Sequence, residues 1–207
     1  MCQIILILAD YLNYRGLPTK YSPSYSLSHR VFKLKLDALM ADLIKGHYLG
    51  RPIGYLYVVE FQKRGLPHAH ILMILAPDDK PRVPADYDKI ICAELPDPVL
   101  EPELFTTITT STLHGPCGED NPNCPCMIPT DAPPRDRHCK SHYPKDWCDE
   151  TVETEGYPLY RRRDDGRFFL KAVPGQINNI KMDNRSVVPY NRVLSKKYNV
   201  STISWNI

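Results

Sequence analysis

The stretch IGYLYVVEFQKRGLPHAHILMIL, residues 53–75, most constrains the fold. Its first part, IGYLYVVEF, is β-branched and aromatic, the composition of a strand. QKRGLP then predicts a turn, with Gly65 supplying positive φ and Pro67 setting the exit. HAHILMIL reads as the return strand, apolar on both faces beyond its histidines, as a strand covered on both sides would be. The two strands predict a hairpin at the centre of a sheet.

A chain that starts from such a hairpin must cover its faces. SLSHRVFKLKLDALMADLIKGHYLG, just upstream, repeats apolar residues at helical spacing: Phe32, Leu36, Leu39 and Leu43, widened by Val31, Met40 and Ile44. Ser28 is the candidate N-cap and Gly46 the candidate stop, with Lys45 in the last turn. A short helix is expected around Tyr87 to Ala93. The Thr-rich PELFTTITTSTLHG fits either strand or helix. YPLYRRRDDGRFFL predicts a second hairpin turning at DDG.

Most of the 20 prolines fall after Leu75, so a compact first part precedes a loop-rich second part. Residues 114–150 show little periodicity, only Cys, His, Pro and Asp, and read as an insertion held by something other than a hydrophobic core. Five of the seven cysteines crowd between Cys117 and Cys148, and the total is odd. No stretch is long enough to span a bilayer. MCQIILILA lacks a basic flank and a cleavage site, which argues against a signal peptide and for a buried strand or a divergent leader. An intracellular address is the default, and there crowded thiols suggest metal before disulfide. The net charge of +2 excludes no partner and argues for none.

His68 and His70 stand at i and i+2, so a strand presents both rings on one side. Glu60 and Gln62 share a parity on the preceding strand, and the turn brings them alongside. Two imidazoles and one oxygen donor leave coordination positions open, which suits a catalytic metal better than a closed structural one. The competing reading is two half-buried histidines bonded to backbone or solvent.

RVFKLKL, EFQKRGLPHAHILMIL, HGPCG, PCM, GYPLYRRRDDGR and NRSVVPYN occur in this order, and the chain from Arg30 to Asn199 thereby resembles the N-terminal replication-initiator (helitron helicase-like) region of helitron transposases, members of the HUH endonucleases. The resemblance implies an α+β fold, an antiparallel sheet with flanking helices of the HUH/Rep-like kind, with the Cys/His-rich loop insertion and incomplete at both ends. The expected organisation is a divergent leader over 1–27 and the domain over 28–207, with the insertion at 114–150. HUH enzymes nick single-stranded DNA through a tyrosine that forms a 5′-phosphotyrosine link and releases a 3′-OH. A divalent cation must neutralise and orient the anionic phosphodiester. By resemblance His68 and His70 are ligands of Mg²⁺ or Mn²⁺, with Glu60 as third ligand and Gln62 in reserve. Mixed N/O ligation suits Mn²⁺ at least as well as Mg²⁺.

Two departures qualify that expectation. The family's opening FIT-T-NP-like phrase is absent, and MCQIILILADYLNYRG stands in its place. The family's nucleophilic tyrosines lie in a Y-x-x-K-Y element after KYN, which would fall beyond Ile207, as would the helicase domain. Neither Tyr190 nor Tyr198 takes the nucleophile's role. The expectation is therefore rolling-circle transposase ancestry, single-stranded DNA as partner, no membrane, a nuclear address, and no nicking by this chain.

Within the family phrases His114, Cys117, Cys126 and Cys139 form a candidate structural Zn²⁺ set, with Cys124, Cys148, His138 and His142 as further candidates. Arg161, Arg162, Arg163, Arg167, Lys196 and Lys197, with Arg185 and Arg192, are candidate DNA-phosphate contacts. Tyr157, Tyr160, Phe168 and Phe169 are available for base stacking. Asp164 and Asp165 inside the run also fit a solvated hairpin with local ion pairs. Two other functions remain open: a non-catalytic zinc-stabilised nucleic-acid-binding module, and a metallohydrolase that uses His68 and His70 to activate water.

Overall fold

The computed structural model describes residues 3–9, 23–61, 67–129, 131–154, 158–173, 178–198 and 202–206. Its main sheet contains β1 (Gln3–Ala9), β2 (Pro52–Phe61), β3 (Pro67–Leu75) and β8 (Thr202–Asn206), in the order β2-β3-β1-β8, all antiparallel. The expected hairpin is present as β2 and β3. It is not central, however: β3 is an interior strand and β2 is the edge. The MCQIILILA run supplies β1, which takes the other side of β3 and displaces β2 outward. QKRGL, the expected turn, lies outside the described residues.

Helix α1 (Pro23–Ile44) covers one face of the sheet. Its predicted stripe holds: Phe32, Leu36, Leu39, Met40 and Leu43 are buried with Ala69, Ile71, Met73 and Leu75 of β3. Burying each large aliphatic side chain contributes about 2 kcal/mol, so this seam is the main apolar contribution of the first part of the chain. The helix starts earlier than expected. Pro23, whose missing N–H costs nothing in a first turn, begins it, and Ser28 lies inside rather than at the cap. Gly46 ends it by close approach. The Gly46 N–H reaches the Ala41 carbonyl, and a Cβ there would lie 2.7 Å from the Asp42 carbonyl oxygen. The left-handed residue is His47, with φ 52°.

Helices α2 (Pro84–Ile90) and α3 (Pro102–Ser111) follow. The ambiguous Thr run is helical. Its hydroxyls fold back on the preceding turn, Thr106 to Pro102, Thr107 to Glu103, Thr109 to Phe105 and Ser111 to Thr107, so each is satisfied inside the helix. Leu104 and Ile108 of α3 bury against Leu95, Val187 and Tyr190 in a second core.

The loop-rich part contains two short ribbons: β4 (Met127–Ile128) with β5 (His138–Cys139), and β6 (Phe169–Lys171) with β7 (Ile180–Met182). Helix α4 (Arg192–Tyr198) packs against α1 and α3. The second expected hairpin is not formed. Leu159 pairs with Val152 and Arg162 with Cys148, while β6 pairs forward with β7. The arginine side chains decide this, because they turn inward to partners elsewhere in the chain. Among the described residues no helix is long and apolar enough to cross a membrane.

Candidate metal centres and the basic run

The β2–β3 register sets Glu60 opposite His68 and Val58 opposite His70. Directly opposed residues share a face, so both imidazoles and the carboxylate project from the side away from α1. The alternate residues of β3 enter the core. His68 Nε2 and His70 Nε2 lie 2.8 Å apart, and Glu60 Oε2 is 3.4 and 3.3 Å from them. The side chains of His68, His70 and Glu60 are 12%, 38% and 57% exposed, so the group opens outward from a sheltered root.

These separations fit one cation. Donors about 2.1 Å from a common ion stand roughly 3.0 Å apart at octahedral angles and roughly 3.4 Å apart at tetrahedral ones. The imidazole spacing alone would equally suit an N–H···N hydrogen bond between the rings. The Glu60 oxygen, nearly equidistant from both nitrogens, makes a shared ion the better match. His68 Nδ1 is buried with no hydrogen-bond partner among the described residues. His70 and Glu60 are the exposed members, so the group is open to solvent on that side. Gln62, the reserve ligand, lies outside the described residues.

The second group is closed. His114, Cys117, Cys126 and Cys139 bring one ligand atom each to within 4.8 Å of one another, the three cysteines buried. The four come from three local structures. His114 follows α3 and is anchored by its N–H to the Ser186 carbonyl. Cys117 comes two residues after Gly115, whose φ is 96°. A Cβ at Gly115 would lie 2.9 Å from the Cys117 nitrogen, so the approach leaves room only for glycine. Cys126 leads into β4, and Cys139 sits in β5 opposite Met127.

His114 stacks on Tyr143 with centroids 4.2 Å apart, and its Nε2 is 3.1 Å from Cys139 Sγ. Burial, then the charges of Lys145, Lys171 and Lys140, hold its pKa below the ordinary value, which keeps the imidazole neutral. Burial and the neighbouring Cys139 charge push the Cys117 thiol up to about 11, and burial raises Cys126 likewise. Burial opposes ionisation of Cys139 too, but backbone donors from Tyr143 and Ser141 prevail and lower it. The set could hold a metal such as zinc.

The further candidates stay outside this foursome. Cys124 touches Cys126, with sulfurs 3.4 Å apart, and Cys148 donates to the Glu150 carbonyl. His138 and His142 pair with each other instead.

The family model of the helitron helicase-like domain at N-terminus matches residues 15–73. This stretch is helitron-like. It includes α1, β2 and most of β3, and therefore all of Glu60, His68 and His70. The resemblance to the helitron helicase-like region is borne out over residues 15–73, which hold RVFKLKL and nearly all of EFQKRGLPHAHILMIL, two of the six motif phrases, and the match suggests association with nucleic acid. No curated protein matches the chain. The Cys/His foursome lies outside the helitron-like stretch.

The basic run corrects one expectation. Arg162 is only 4% exposed, and its Nη1 donates to the carbonyls of Asn184 and Val187 at 2.6 and 2.7 Å and of Ala93 at 3.4 Å. Burial lowers its pKa, with Tyr143 opposing the shift. It is an internal strut and cannot reach a DNA phosphate. Arg163 grips Glu94, and Arg161 pairs with Asp88 at 2.8 Å. Arg167 donates to the Leu95 carbonyl. Arg185 is held by Asp183, and Arg192 by Glu101. Lys197 meets Asp42 at 2.5 Å, whereas Lys196 is exposed and only 3.7 Å from Glu103. Of the stacking candidates, Tyr160 is buried in the main core, Phe168 is exposed, and Tyr157 lies outside the described residues.

Sequence reasoning missed Glu94 and Asp88, which organise the run. Their only sequence signal is the apolar run IICA between them, which places Glu94 next to buried residues where a carboxylate needs a cation. Tyr198 donates to Asp42 at 2.6 Å and Tyr190 to the Glu94 carbonyl at 2.9 Å, so both hydroxyls are engaged inside the domain.

Proposed function

We propose that this chain is a replication-initiator region of helitron transposase type, an HUH-like domain that holds Mg²⁺ or Mn²⁺ on Glu60, His68 and His70 and binds single-stranded DNA there. One observation carries the reading: three donor atoms within 3.4 Å of each other, on the outward face of an antiparallel sheet, inside the helitron-like stretch. The ion's role is to accept phosphodiester oxygens and offset their charge. Glu60, one of the three donors, also lowers the net charge of the loaded centre. The Cys/His set supports the same reading as a structural zinc site for a segment with little apolar surface of its own.

Nicking needs a nucleophile as well. The Tyr190 and Tyr198 hydroxyls are occupied by Glu94 and Asp42, so neither serves as one. We therefore expect metal-dependent DNA binding without a covalent link through either tyrosine. The test is Mn²⁺ binding followed by titration with single-stranded DNA, for the wild-type chain and for His68→Ala/His70→Ala. Mn²⁺-stimulated DNA binding that disappears in the variant supports the proposal. Equal Mn²⁺ binding by both overturns it. DNA hydrolysis with no protein–DNA adduct would instead favour the metallohydrolase reading.

A further inference from the structure

Among the described residues β2 pairs with β3 alone, so its other edge presents a row of backbone N–H and C=O groups with no partner strand. Such an edge invites another strand, and folds blunt it with lysine, proline, bulges or short length. β2 uses these devices only at its start, where Pro52 stands and the register shifts between Pro52 and Gly54. From Tyr55 to Phe61 it is regular, and it contains no lysine or arginine. Ile53, Tyr55, Leu56, Tyr57, Val58 and Phe61 are large side chains between 40% and 66% exposed. They occupy both faces of the strand, the odd numbers with Val59 on the core side and the even numbers with Glu60 on the other.

Symmetry and charge choose what belongs on this edge. A two-fold axis normal to the sheet lays a second β2 antiparallel to the first and keeps each face on its own side, so opposed residues have numbers of equal parity. One register sets all six exposed side chains against residues of the second copy's β2. In it Tyr57 meets Tyr57, Leu56 meets Val58, Tyr55 meets Val59 and Ile53 meets Phe61. Aromatic and β-branched pairs of this kind stabilise a sheet. The strand's one charge, Glu60, falls opposite Gly54, so the two carboxylates stand roughly 20 Å apart along the strand. Lys33 of α1, whose charge reaches Tyr57, is already paired with Asp37. Half-exposed side chains of about 200 Å² each offer roughly 600 Å² per copy, most of the ~800 Å² that a stable interface takes from each partner.

We propose that the chain forms a two-fold dimer through antiparallel β2–β2 pairing centred on Tyr57, which joins two four-stranded sheets into one. Both Glu60/His68/His70 groups then lie on the same face of the joined sheet. The dimer needs no metal and no DNA, so it stands apart from the function proposed above.

The test measures the mass of the full chain by sedimentation over a concentration series, without Mg²⁺ or Mn²⁺. Wild type should reach twice the chain mass, and His68→Ala/His70→Ala should match it. Tyr57→Lys and Tyr57→Glu each set like charges against each other at the axis, and each should stay at the chain mass. An equimolar mixture of the two should regain the dimer, which also shows that both variants are folded. Hydrogen exchange reads the unaltered chain: the β2 amides should gain protection as concentration rises, while those of β3, paired on both sides, should not change. A wild-type monomer at every concentration would leave the edge to some other strand and overturn the dimer. So would a dimer that persists in the single variants, or β2 exchange that ignores concentration.

Discussion

Arg163 closes on Glu94 in a two-point contact, Nε to Oε1 at 2.8 Å and Nη2 to Oε2 at 2.7 Å, across a sequence separation of 69 residues. The Arg163 backbone N–H adds a third bond to the same carboxylate. The pair ties the loop after α2 to the basic run.

Burial alone would raise the Glu94 carboxyl, but the hydrogen bonds and charge of Arg163, with the charge of Arg161, outweigh it and hold the pKa below the ordinary 4.5. A lowered folded-state pKa contributes stability that is complete above the unfolded value and fades as pH falls through the folded one. Glu94→Gln should cost about 1–3 kcal/mol near neutral pH and flatten the acid side of the stability curve. Thermal unfolding of both proteins from pH 7 downward checks this; parallel curves would rule the pair out as an acid-sensitive contact.

Replacing the Arg162 guanidinium by an ammonium should be costly although charge is kept. The shorter lysine side chain would not carry its nitrogen to the Asn184 and Val187 carbonyls that Nη1 reaches, and it would lose the guanidinium plane over the Tyr143 ring. Arg162→Lys should lose about 2 kcal/mol or more, read as a lower denaturation midpoint.

The salt dependence of DNA binding separates the cations. Lys196→Ala should reduce the slope of log affinity against log salt by about one, as expected for one lost phosphate contact. Arg162→Lys, compared where both proteins are folded, should leave the slope unchanged.

Chelation should act locally. Stripping metal from His114, Cys117, Cys126 and Cys139 should expose the amides of residues 114–148 to hydrogen exchange while α1 and β3 remain protected. Cys139→Ser should reproduce the effect without chelator. Unchanged exchange in both cases would mean that the segment is held by packing alone.

Local pattern made some of this architecture readable. The stripe from Phe32 to Leu43 announces a helix face, and the alternation through His68 and His70 announces a strand with two faces. The Cys/His foursome was readable through its phrases, although its ligands arrive from the end of α3, the turn at Gly115 and the β4–β5 ribbon. The edge position of β2 was not readable, because strand order depends on β1 pairing over a long separation. The fate of the arginine run was equally hidden. DDG is a strong local turn signal, but Glu94, Asp88 and three backbone carbonyls lie far away in sequence and redirect the side chains inward. Ser28 yields the helix start to Pro23, an equally acceptable opening a few residues earlier.

Strand β3 divides its duties by parity. Ala69, Ile71 and Met73 build the interior, while His68 and His70 carry the donor atoms outside it. Fold and donor atoms therefore answer to different residues of one short segment. A domain so arranged can lose its donor atoms without being unfolded.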